Sequence, residues 1–177
     1  MTNTTFPLDA DAPTATDAGH ASIASARPVQ LAQGIFCDPW ALAVPYGWAK
    51  SVVEEFNLVA IPKSPEWIVG LTNVEGVVMP VIDLGIYFTP GQPAGVIGRN
   101  HRLLVGGGQK GDSENVFALL FTRLPMQIRY HPEPMAASAQ LPERLIELCT
   151  AQAKDVSGRT FLEINAANMV EALLSAI

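Results

Sequence analysis

The segment from Ile61 to Leu84, IPKSPEWIVGLTNVEGVVMPVIDL, constrains the fold of this chain more than any other, because Pro, Asn, Gly and Asp break its strongly apolar runs at fixed places. Trp67 to Val74 and Val77 to Leu84 have the length and β-branched content of strands, and Gly76 sits between them, which predicts a β-hairpin. With Glu75 and Gly76 as the central turn residues, a type II geometry is expected, since its second central position needs the positive φ that Gly accepts freely. Such a turn lifts the Glu75 carboxylate into solvent. Pro80 lacks an amide hydrogen, so the second strand is expected to lie at an edge there, to bulge, or to face solvent along its backbone. An apolar edge is a recognition surface or an aggregation hazard. Periodicity alone also fits a buried hairpin with no function of its own.

The order of these residues resembles the CheW family of chemotaxis coupling adaptors. Pro62, Pro65, Trp67, Gly70, Asn73, Gly76, Pro80 and the Asp83-Leu84 end stand where such adaptors carry a Pro pair, an aromatic, Gly, Asn, Gly, Pro and Asp-Leu. One position departs: the family usually has Arg where this chain has Glu75. The wording around Trp67 and the GLTN stretch is closest to the pilus-associated adaptors often called PilI. The resemblance covers most of Gln33 to Ile177, and is strongest in the hairpin. It implies a mainly β fold of two small five-stranded β-barrels around a shared hydrophobic core, with a C-terminal α-helix. It also implies a bridge between the cytoplasmic tip of a methyl-accepting chemoreceptor and the regulatory domain of a CheA-type histidine kinase. Carried over position by position, Asn73, Glu75, Gly76, Val77 and Pro80 fall where the family's receptor and kinase contacts cluster. Pro62, Pro65, Trp67, Gly70, Asp83 and Leu84 form the structural frame of the motif. No cofactor and no bond-making step is implied.

The rest of the chain bounds the reading. A length of 177 residues with 49% hydrophobic composition suits one compact domain or two small lobes sharing a core. A net charge of -6 without any basic run argues against a nucleic-acid or anionic-membrane surface, because those partners are held mainly by Lys and Arg. No apolar stretch is long enough to span a membrane, and a secretory signal pattern is absent, so a cytoplasmic protein is expected. Cys37 and Cys149 are far apart and lack a CxxC or a nearby His, which predicts two free thiols. Met1 to about Arg27, built from Thr, Ala, Asp, Ser and Pro, cannot bury enough apolar surface to offset its ordering entropy and is expected to be a disordered leader.

From Pro28 to Ile177 the expected domain divides into a first lobe at about 28–88, a second at about 100–165 and a terminal helix at about 166–177. Val29, Leu31 and Ile35 to Cys37, then Trp40 to Val44, alternate apolar and small residues as short strands do, with Gly34, Asp38 and Pro39 as breaks. Ala49 to Phe56 fits a short helix, though its valines and the family resemblance favour a strand. Gly85 to Phe88 is a short helical or turn segment, and the Pro- and Gly-rich stretch Thr89 to Arg99 is a boundary. His101 to Val105 and Val116 to Phe121 are strands. Between them, GGGQKGDSEN lacks the Gly-Lys-Ser/Thr opening of a helix that a phosphate loop needs, and reads as a hairpin loop. Leu141 to Ala153 fits either an amphipathic helix, with Leu145, Ile146 and Cys149 on one face, or a strand. The resemblance favours a strand pairing with Thr160 to Ile164 across Ser157-Gly158. Ala166 to Ile177 reads as a helix capped by Asn165, with Met169, Leu173 and Ile177 on one face.

Catalytic constellations find no support. His20, His101 and His131 are scattered, with no HxxxH or HxH spacing for a metal or an acid/base pair, and no GxSxG elbow is present. Asp83 ends an apolar strand, as phospho-acceptors do in α/β enzymes, but without an alternating strand-helix pattern it reads as a cap on the following turn. A non-catalytic adaptor is therefore expected. The alternatives are a degenerate structural subunit of the array and a small-ligand-binding β-barrel.

Overall fold

The computed structural model describes residues 28–92, 95–107, 116–135, 140–155 and 157–176. The expected leader, most of the GGGQKGDSEN loop and Ile177 lie outside these residues.

Apolar alternation sets the first strands. β1 (Gln30–Cys37) and β2 (Trp40–Pro45) form an antiparallel hairpin, and β3 (Ala49–Val53) follows as a strand. β4 (Ile68–Val74) and β5 (Val77–Ile82) are the hairpin expected from the Ile61 to Leu84 segment. The buried helix α1 (Leu84–Phe88) starts at Asp83, whose Oδ1 accepts the Ile86 amide at 3.1 Å. β6 (His101–Gly106) then leads to β7 (Phe117–Tyr130).

β7 organises the molecule. It is far longer than the expected strand ending at Phe121, because it changes partners part-way along. Phe117 to Thr122 pair with β6, and Ala118 and Leu119 also pair with β5. Beyond that point the strand pairs with β1 through to Tyr130. At the handover Phe36 faces Thr122 while Gly34 faces Met126, so β7 carries extra residues there, and Arg123 takes φ 65. Such a bulge bends a strand and re-aims its side chains, and Pro125 is tolerated within it because no ladder bond is demanded of its nitrogen.

The bend lets β7 belong to two barrels of five strands each. One runs β3-β6-β7-β5-β4 and is closed by a bridge between Val59 and Leu71. The other runs β7-β1-β2-β9-β8, where β8 (Cys149–Lys154) and β9 (Thr160–Ile164) are antiparallel, and is closed by a bridge between Glu133 and Gln152. Strand pairing thus crosses the chain-order division at residues 88 and 100: β1 and β2 join β8 and β9, while β6 joins β3 to β5.

Three apolar clusters follow from the period-2 alternation of strand side chains. Met79, Val81, Leu103, Ala118 and Leu120 fill the first barrel. Phe36, Ala43, Ile128, Ala153 and Phe161 fill the second. Ile35, Leu42, Ile82, Leu104, Phe117, Leu119 and Phe121 point the other way, into a core between the barrels. Both faces of β7 are buried near Phe117 to Phe121, which is why that stretch is continuously apolar.

Leu141 to Ala153 divides between the two expected forms, which corrects the single strand. α2 (Glu143–Leu148) turns Leu145 and Leu148 into the shared core, and β8 begins only at Cys149. Ile146 is 51% exposed, so it does not share a face with Leu145. The terminal helix α3 (Ala166–Ser175) is capped as expected: Asn165 Oδ1 accepts the amides of Ala167 and Asn168, and Met169 and Leu173 enter the shared core.

Candidate functional site

The tip of the β4-β5 hairpin is a two-residue turn in which Glu75 has φ 51 and Gly76 φ 87. Positive φ at both central positions is the type I′ pattern, not the expected type II. The reason lies in the strands: the twist of a primed turn matches that of a tight hairpin, whereas type II splays its arms. Asn73 Oδ1 accepts the Gly76 amide at 2.9 Å and ties the turn to the end of β4.

Asn73, Glu75 and Gly76 are exposed, Val77 is 42% exposed and Pro80 half-buried, so the five expected contact residues gather on one projecting hairpin. Next to them stand two apolar residues not singled out from the sequence, Val78 at 62% and Val59 at 67% exposure. Register explains the grouping: Val59 bridges Leu71, Leu71 faces Pro80, and Asn73 faces Val78. These residues lie on the face that, nearer α1, carries Ile68 and Ile82 into the shared core. The result is an apolar strip running from the core to the tip. Pro80 lies where β5 is an edge, as expected, since β5 pairs with β7 only from Val81 onward.

The frame residues hold the strip in place. Trp67 is buried edge-on against Tyr87, with ring centroids 5.3 Å apart, and its carbonyl accepts the Asp83 amide at 2.8 Å. At Gly70, φ is 152 and an added Cβ would stand 2.8 Å from the Val59 carbonyl oxygen. Gly70 therefore permits the close passage of the Val59 segment that closes the barrel. Leu84 is fully buried, Pro65 half-buried and Pro62 exposed on the approach to β4.

The other concentration of functional groups is a cavity of about 240 Å³ at the seam between the barrels, lined by Cys37, Asp38, Asp83, His101 and Thr122 among others. Burial pushes the Cys37 thiol up, helped by the charges of Asp83 and Asp38, and its Sγ lies 3.4 Å from the Leu120 carbonyl. A thiol so shifted is a poor nucleophile. Burial also raises Asp83, although its hydrogen bonds from the Ile86 and Gly85 amides pull the other way. Asp83 is engaged as a cap. Among the described residues, no group of three His, Cys, Asp or Glu side chains is arranged to hold a metal, and no helix is long and apolar enough to cross a membrane.

A sequence model of the CheW-like domain matches residues 37–173. The chain belongs to the CheW-like domain family. Its fold is similar to that of the scaffolding protein TtCheW from Thermoanaerobacter tengcongensis, with a TM-score of 0.60 and 18% identity over 78% of this chain and 90% of that one. No curated protein matches the chain by sequence. As a CheW-like chain, it carries the motif residues Pro62 to Leu84 in the hairpin and its supports, with Glu75 exposed in the turn.

Proposed function

We propose that this CheW-like chain is a non-catalytic cytoplasmic adaptor that couples a methyl-accepting chemoreceptor to the regulatory domain of a CheA-type histidine kinase. Family membership supports a chemotaxis scaffold role, and the wording of the hairpin favours a pilus-type output. The observation that carries the reading is the apolar strip Val59, Leu71, Pro80 and Val78, held on a rigid barrel edge beside a charged turn. A surface of that kind gains by burial against a partner and offers no group for bond making. Both barrel interiors are filled by side chains, which disfavours a ligand-binding barrel. The adaptor biases the kinase only as far as its contacts differ between the kinase's states.

Glu75 sets the specificity of this reading. Arg offers five donors and a fixed positive charge, whereas a carboxylate only accepts. Opposite an acidic partner Glu75 would cost several kcal/mol, so its own partner is basic at the contact. Co-purification of the full chain with its cognate kinase tests the adaptor role: capture by the native chain and loss with Val78→Asp are expected, and no capture by the native chain would overturn it. Glu75→Arg should weaken binding to the cognate kinase, and tighter binding would sink the charge argument alone.

A further inference from the structure

We draw no further inference here: the strongest candidate, the cavity at the seam between the two barrels that Asp38, Asp83, His101 and Thr122 line, rests on an acidic pair alone, with Asp83 engaged as the α1 cap and Asp38 by the Thr122 hydroxyl, and nothing among the described residues points to a ligand there.

Discussion

The Oδ1 atom of Asn73 accepts the amide of Gly76 at 2.9 Å, and this bond holds a turn in which Glu75 is forced to φ 51. A side chain other than Gly in the left-handed region costs about 1 kcal/mol or more. Glu75→Gly should therefore stabilise the protein by roughly 0.5–1 kcal/mol, while Gly76→Ala, at φ 87, should destabilise it by a similar amount. Asn73→Ala should cost about 0.5–1.5 kcal/mol. Urea denaturation of the three variants reads the order, and a destabilised Glu75→Gly would contradict the strain at the tip.

Gly70→Ala should be more damaging than any change at the tip. The added Cβ meets the Val59 carbonyl oxygen at 2.8 Å, and φ 152 is itself unfavourable for Ala. The Val59-Leu71 bridge, with N···O distances of 2.9 and 2.8 Å, has to move apart. A loss of about 2 kcal/mol or more is expected, with faster amide exchange at Val59 and Leu71. Unchanged exchange there would argue against the close passage.

Asp83 ties stability to pH with a sign opposite to that of a salt-bridged carboxylate. Burial raises its pKa above the ordinary 3.8, so the folded state keeps the proton to higher pH than the unfolded state. Its contribution to stability is fully present below about pH 3.8 and falls as pH rises through the raised value. Asp83→Asn keeps the acceptor for the Ile86 amide and carries no charge. Its stability relative to the native chain should increase across that window and then level off. Asp83→Ala loses the cap and should cost about 1 kcal/mol. A pH-independent difference between native and Asp83→Asn would refute the burial effect.

Neither thiol should be reactive in the folded chain. Burial, with the Glu163 charge, pushes Cys149 up to about 12, and burial raises Cys37 as well. Iodoacetamide at pH 8 should leave both unmodified in the native protein and alkylate both in denaturant, as mass spectrometry would show. Rapid native labelling of Cys149 would contradict its shielding.

Features set by neighbours in the chain were legible in the sequence. The β4-β5 hairpin, the Asp83 cap and the Asn165 cap depend on bonds made within a few residues, and the expected edge at Pro80 on a nitrogen with no hydrogen to donate. The resemblance of Ile61 to Leu84 to a known motif named the residues proposed for partner contact, and the fold gathers them on one hairpin. The turn type was not legible, because Gly76 suits two geometries and only the pairing of Val74 with Val77 selects one.

Other features needed partners far away. Leu141 to Ala153 contains both a helical and a strand pattern, and the change occurs where Cys149 meets Ile164 on β9. β7 runs past Phe121 because β1, 86 residues earlier where Phe36 meets Thr122, offers it a second edge. The stacking of Arg123 and Arg159 on Phe36 joins three distant segments that no local pattern relates. Local hydrogen bonds and side-chain periods were enough to set the apolar alternation, the caps and the hairpin. How one bent strand serves two barrels, and which surfaces that bend exposes, came from strand pairing between residues that the chain order keeps apart.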